Sequence, residues 1–282
     1  MGPDRHLRGI DHLLVAVADL EGAAADYRRL GFAVTPRGRH RGWPTGNYCV
    51  MFEEGYLELL GRVESGPERH RIDASLERGE GGLGIALASD DPEATAAAWR
   101  AAGIAVEGPL DLSRLLEEGE GITLRFRNAM PDPCELGDFV LFACHHLTPH
   151  LLRRPEWLRH ANGARALRSC TILAADPEPL AEALTRLLGA AARSETDRVV
   201  TFQTGGAPIL LAPPEDALLL HPTLEELEPG DEPRLAAISL EVPDPERSAA
   251  FLRERGLSAR RIADGYGLPP AVARGVALEF VA

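Results

Sequence analysis

Four stretches of the chain share one order of apolar and polar positions: an apolar run, an aspartate, an alanine- or leucine-rich segment, then a glycine. They read IDHLLVAVADLEGAAADYRRLGF (10–32), LGIALASDDPEATAAAWRAAGI (83–104), RSCTILAADPEPLAEALTRLLGA (168–190) and LAAISLEVPDPERSAAFLRERGL (235–257). Asp19, Asp91, Asp176 and Asp244 stand where a helix N-cap belongs, and Pro92, Pro177 and Pro245 follow at the first helical position. Gly31, Gly103, Gly189 and Gly256 come 12 or 13 residues after the aspartates, as left-handed C′ residues should. Repetition of cap, length and stop predicts duplication.

Behind each glycine the chain turns extended, with FAVTPRG, YCVMF and YLELLG in the first unit and IAVEGPL, ITLRFRN and FVLFACH in the second. Each unit thus predicts one strand, one helix and three strands, over 9–61, 83–144, 167–213 and 235–281. In the fourth, GYGLPPAVARG (265–275) reads poorly as the strand expected there. Residues 62–80, 144–165 and 213–233 read as linkers, and 79–82 and 108–121 as flexible connectors. One such unit cannot close a core alone. Two side by side form a curved eight-stranded sheet with helices outside, so the fold class expected is α+β, two open barrels.

Composition narrows the partners. The 282 residues are 45% hydrophobic and 26% charged, with net charge −13, an acidic balance that argues against nucleic-acid and anionic-membrane partners. All 30 basic residues are arginine, which excludes imine chemistry through lysine and a Walker-type phosphate lysine. Cys49, Cys134, Cys144 and Cys170 are widely spaced and form no C-x-x-C, and the sequence shows neither a signal segment nor an apolar run of the ~18 residues that span a bilayer. Reduced thiols and a cytoplasmic location are expected.

Four βαβββ units resemble the vicinal oxygen chelate superfamily, which includes glyoxalase I, extradiol dioxygenases and the bleomycin- and fosfomycin-resistance proteins. RGRHRGWPTGNY (37–48) and RRPEWLRHANGA (153–164) narrow the resemblance to its glyoxalase-like domain proteins. It implies a first glyoxalase-like domain over 7–145, a linker or pocket cap over 146–165, and a second such domain over 166–282. It also implies inward ligands for a divalent ion (zinc, manganese, iron, nickel or magnesium) from the first and last strands of a unit.

The repeat tests that implication internally. Seven residues before each cap aspartate stand His12, Gly84, Ser169 and Ala237, so the first unit alone offers a ligand there. On the final strand it has Glu58, the fourth unit has Glu279, and the other two are apolar. Alternation places Ile10, His12, Leu14 and Ala16 on one face of the first strand. His12 and Glu58 therefore read as the metal pair. His40, His145, His146 and Glu279 are candidates for a third ligand, with His146 preferred and Glu279, near the chain end, expected in solvent. Glu58 and His40 are the candidate proton carriers, and Trp43, Asn47, Arg154, Trp157, His160 and Asn162 the candidate substrate contacts, with Arg153 and Arg159 adding positive charge.

Three functions follow as expectations: a metal-assisted isomerase, lyase or ring-opening enzyme working through an enediolate-type anion; a metal-free module that sequesters a small ligand; and a metal-free acid–base enzyme using His12, His40 and Glu58. The third and fourth units are expected to buttress the others or to form an interface, as in a homodimer.

Overall fold

The computed structural model describes residues 6–64, 71–119, 121–226, 230 and 232–282. The first unit comprises β1 (Leu7–Ala16), α1 (Leu20–Arg29), β2 (Gly38–His40), β3 (Thr45–Met51) and β4 (Tyr56–Arg62), and is followed by α2 (Arg71–Glu77). The second comprises β5 (Gly81–Ser89), α3 (Pro92–Ala101), β6 (Val106–Leu116), β7 (Ile122–Pro131) and β8 (Val140–His146). The third contains β9 (Ala166–Leu173), α4 (Glu178–Leu188), β10 (Arg193–Thr196), β11 (Val199–Phe202) and β12 (Ile209–Ala212), followed by α5 (Pro214–Leu220). The fourth contains β13 (Arg234–Glu241), α6 (Pro245–Glu254), β14 (Arg260–Ile262), β15 (Gly265–Leu268) and β16 (Ala277–Val281).

The capping pattern is what the sequence predicts in three of the four units; in the third, α4 opens at Glu178 with Pro177 as its N-cap, one residue after Asp176. Asp19, Asp91 and Asp244 accept from the backbone N–H of Gly22, Ala94 and Arg247, and Asp176 accepts from that of Glu178. All four stop glycines have positive φ. Several stretches read as connectors are ordered elements instead. Residues 106–116 form a full strand, residue 81 opens β5, α2 lies within 62–80, and α5 with a 3₁₀ turn, Pro222–Glu226, lies within 213–233. Parts of those stretches, 65–70, 120, 227–229 and 231, lie outside the described residues. The fourth unit does form its doubtful strand, β15, which pairs with β14 and β16.

The first and second units pair with each other. Strands run β1-β4-β3-β2-β6-β7-β8-β5, and β5 pairs back to β1, so the eight strands close into a barrel. The third and fourth units form an eight-stranded sheet in the order β10-β11-β12-β9-β13-β16-β15-β14, with no pairing between its end strands among the described residues. The two sheets join where β5 meets β13, at Gly82 and Leu235. A Cβ on Gly82 would stand 1.9 Å from the Leu235 carbonyl oxygen, so glycine permits this junction.

One apolar cluster runs between the helices and the outer faces of both sheets, from Leu13 and Val15 on β1 to Leu240 and Phe280 in the fourth unit. A second lies inside the barrel and includes Leu14, Tyr56, Leu60, Phe126 and Phe142, with Leu152 and Trp157 of the 147–165 segment packed against it. A third, mostly of alanines, lines the second sheet under α5.

Candidate functional site

β4 is apolar toward both sides because both are buried. Leu57 and Leu59 join the outer core, whereas Tyr56 and Leu60 face the barrel interior, and Glu58 lies between these two on the inward side. β1 supplies its partner through an irregularity. The pairing with β5 steps from Ile10–Leu87 to His12–Ala86, so Asp11 is one residue too many, a β-bulge. Ile10 therefore belongs to the outer core rather than sharing a face with His12, and Asp11 and His12 are both buried.

His12 is held between two carboxylates. Its Nδ1–H donates to Asp11 Oδ2 at 2.6 Å, and its Nε2 is 3.2 Å from Glu58 Oε2. Asp11 Oδ2 also accepts from His146 Nε2 at 3.0 Å. The other oxygen of Glu58, Oε1, accepts from Asn47 Nδ2, with His40 Nε2 at 3.6 Å and Arg114 Nη1 at 4.0 Å. Tyr56 stacks on the His12 ring with centroids 4.5 Å apart, and Phe142 meets it edge-on.

Burial by itself would push the His12 imidazole down, but the Asp11 and Glu58 carboxylates outweigh it and raise its pKa to about 9. Burial likewise pushes Glu58 up, and the contact with His12 and the charges of His12, His40 and Arg114 reverse this, lowering it to about 2. Asp11 is driven below the usual carboxylate range, its burial outweighed by His146 and His12. At neutral pH the chain is carboxylate, imidazolium, carboxylate.

This chain sits at the wall of a cavity of about 160 Å³ inside the barrel. Its lining is largely apolar, with Leu112, Phe126, Met130 and Phe142 among the walls and Trp43 and Arg41 of the β2–β3 loop contributing. Arg114 on β6 reaches in fully buried, and its Nη1 donates to Cys49 Sγ at 3.3 Å. Gly38 makes room for it, since a Cβ there would lie 2.3 Å from Asn47 Oδ1 and 2.6 Å from Arg114 Cδ.

The residues singled out in the sequence divide into two groups. His12, His40, Trp43 and Glu58 line the cavity, and Asn47 holds Glu58 from behind. The four residues from the segment after β8 are engaged elsewhere. His160 accepts from Ala33 N–H through Nδ1 and donates to the Met51 carbonyl through Nε2, tying the segment to the first unit. Asn162 donates to the Leu30 carbonyl and accepts from Ala164 N–H. Arg154 pairs with Glu118 and lies over the Trp157 ring, itself packed into the barrel's apolar cluster. Arg153 donates to the carbonyls of Phe52 and Glu53, and His145 bonds the Ser89 carbonyl. Glu279 is not in solvent: buried on β16, it accepts from His221 Nδ1 at 2.9 Å and Ser239 Oγ at 2.8 Å, with His221 Nε2 2.7 Å from Thr171 Oγ1. Sequence reasoning passed over Asp11, Arg114 and Cys144.

Residues 10–188 match the glyoxalase-like domain family. The chain belongs to that family. No curated protein sequence matches it significantly. Among solved structures, a hypothetical protein from Staphylococcus aureus superposes with TM-score 0.68 at 11% identity, over 96% of this chain and 98% of that one. A mutant 4-hydroxymandelate synthase from Streptomyces coelicolor gives TM-score 0.59 at 14% identity, over 98% and 92%. A xylose isomerase-like TIM barrel/4-hydroxyphenylpyruvate dioxygenase fusion protein gives 0.56 at 16%, over 91% of this chain and 40% of that one. At such identities the likeness is one of fold alone.

A four-ligand ion of the kind the superfamily resemblance implies does not fit the residues this glyoxalase-like chain offers. Unit 2 has Gly84 where unit 1 has His12, and a Cβ there would stand 2.0 Å from the Val140 carbonyl oxygen. The strand pairings place Phe142 where unit 1 has Glu58. His146, expected as third ligand, turns its Nε2 to Asp11 instead. Among the described residues, Asp11, His12 and Cys144 do bring donor atoms within 4.8 Å of one another. In that group, however, His12 spends Nδ1 on Asp11, and burial first, with the nearby Asp11 and Glu58 charges, holds the Cys144 thiol protonated. All four cysteines are free, and no helix among the described residues is long and apolar enough to cross a membrane.

Proposed function

We propose that this glyoxalase-like protein is a small-molecule enzyme that moves a proton on a compact carbonyl compound, with Glu58 as base and His12 as the acid facing the substrate oxygen. The observation that carries it is the buried Asp11–His12–Glu58 chain set in the wall of an apolar cavity. A carboxylate lowered to about 2 is a weak base, so the step depends on His12. When the substrate oxygen accepts the hydrogen bond of His12 Nε2–H in place of Glu58, His12 stays an imidazolium and Glu58 loses the bond that does most to lower it, so burial raises its affinity for a proton. Glu58 accepts the C–H proton next to the carbonyl, the electron pair moves onto the oxygen, and the imidazolium stabilises the resulting enolate. Asp11 keeps the ring oriented through Nδ1, and Asn47 keeps the Glu58 carboxylate in place. Apolar walls keep the site dry, which strengthens each of these charges.

The test follows hydrogen–deuterium exchange by NMR at the carbon next to the carbonyl, in D₂O, across a panel of compact keto and hydroxy-carbonyl compounds. Exchange above the buffer rate is expected for at least one compound, with a loss of roughly 10²- to 10⁴-fold in Glu58→Gln. Activity should survive a chelator. Loss with chelator and recovery with one divalent ion would favour the metal-assisted enzyme instead. Ligands that bind and show no exchange would favour the sequestering module.

A further inference from the structure

The charges around the barrel cavity do not cancel. Asp11 and Glu58 carry two negative charges, and the His12 imidazolium and the Arg114 guanidinium, 4.0 Å from Glu58, carry two positive ones. With His40 and His146 left out of the count, that buried cluster is neutral. Two further arginines line the same cavity, Arg41 and Arg71, and Glu58 is the one acid among the described lining residues. In a chain of net charge −13 the lining therefore carries a surplus of positive charge.

Neither surplus guanidinium has a hydrogen bond or an ion pair among the described residues. Arg41 is exposed and Arg71 half-buried, and no guanidinium nitrogen of Arg71 is closed off, unlike Nε and Nη2 of Arg114. The fold sets their places. Arg41 N–H donates to the Ser113 carbonyl at 3.0 Å, which pins the β2–β3 turn to β6, and Ser113 also lines the cavity. Ile72, next to Arg71, is fully buried in the barrel's apolar cluster, and Asp73 accepts from Arg62 Nη1 at 2.7 Å. Arg62 pairs with Thr45, so α2 and the turn meet at the same end of the barrel. Glu58 lies four residues, about 13 Å, from Arg62 along β4. The acids nearest Arg71 are engaged elsewhere. Burial pushes its pKa down against the charges of Asp138 and Asp132, but Asp138 pairs with Arg78 and Asp132 accepts from Cys134 N–H.

We propose that Arg41 and Arg71 form an oxyanion subsite at the mouth of the cavity, and that the substrate is a compact carbonyl compound with one carboxylate or phosphate at its far end. This rests on the cavity being the substrate site proposed above. The anion stays at the mouth, where water still reaches it and the cost of desolvation is small. The carbonyl end passes between the apolar walls to His12 and Glu58. Positive charge at the mouth also draws anions toward a chain that otherwise repels them.

The test uses the full chain and matched anionic and neutral carbonyl compounds, levulinate with its methyl ester and dihydroxyacetone phosphate with dihydroxyacetone, titrated by calorimetry at pH 7. At least one anion should bind roughly tenfold or more tightly than its neutral partner, and the pair that shows it tells carboxylate from phosphate. Arg41→Gln and Arg71→Gln should each cut that preference about threefold or more, whereas Arg168→Gln, an exposed arginine outside the cavity, should leave it unchanged. Should one of the two cavity variants fail to fold, the other decides together with the wild-type ratio. Neutral compounds binding as well as anions in both pairs, no anion binding at all, or an equal loss in Arg168→Gln overturns the subsite. So does a preference that survives both cavity variants. The deuterium-exchange assay separates the two proposals. Anion preference with no exchange on any panel compound sinks the proton-transfer reading and leaves the subsite. Exchange confined to compounds without a negative group sinks the subsite and leaves proton transfer.

Discussion

Glu58 meets different company at its two oxygens: His12 at Oε2, and Asn47, His40 and Arg114 around Oε1. The pair it makes with His12 ties stability to pH. The folded-state pKa of His12 is raised from 6.5 to about 9, so its contribution is complete below pH 6.5 and lost as pH rises toward 9. Melting temperatures measured from pH 6 to 9.5 at constant ionic strength should therefore fall across that window, and Glu58→Gln should flatten the fall. An equally steep slope in the variant would show that other groups carry it. His12 and Glu58 were legible in the sequence because the repeat supplies its own control: the offset of His12 holds glycine, serine or alanine in the other units, and the place of Glu58 is apolar in the second and third. Asp11 was not, since alternation turns it outward and only the bulge brings it in. Arg114 was not, because a charged residue on an inward position lowers the apolar count by which a strand is recognised. Glu279 was misread from its place near the chain end, where His221, brought by α5, could not be foreseen as its partner.

At the scale of elements, the caps were the clearest signal, because N-cap and stop residues act within one turn of their own helix. Asp91→Ala and Asp244→Ala should each cost about 1 kcal/mol in urea unfolding, since each carboxylate accepts from the N–H of the helix's third residue. Changes below ~0.3 kcal/mol would mean that the proline after each cap already fixes the helix start. β6 is the instructive failure. Leu110, Leu112, Arg114 and Leu116 alternate with Asp111, Ser113 and Leu115 as a half-exposed strand requires, but Gly108-Pro109 and the glutamates after Leu116 gave it the composition of a loop. The 147–165 segment shows the opposite case. Its polar residues suggested a pocket wall, and they mostly bond backbone, fastening one element to another.

The whole molecule is joined through buried contacts between its halves. Trp99 Nε1 on α3 donates to the Leu187 carbonyl on α4 at 2.8 Å, Tyr27 on α1 donates to the Ala273 carbonyl at 3.2 Å, and Arg274 pairs with Asp26 and Glu80. With one apolar cluster spanning both sheets, calorimetry should record one unfolding transition whose van't Hoff and calorimetric enthalpies agree. Two resolved transitions would show that the halves melt independently. The halves also differ in what they expose to other chains. A closed barrel offers no free strand, whereas the open sheet ends in β10 and β14, whose outer edges pair with no strand among the described residues and are a template for strand addition. Both ends carry arginines bound to glutamates, Arg193 with Glu178 and Glu195, and Arg260 and Arg261 with Glu225 and Glu246. A foreign strand seeking to pair there must first break up those ion pairs, so the edges that could nucleate aggregation are the ones most heavily charged.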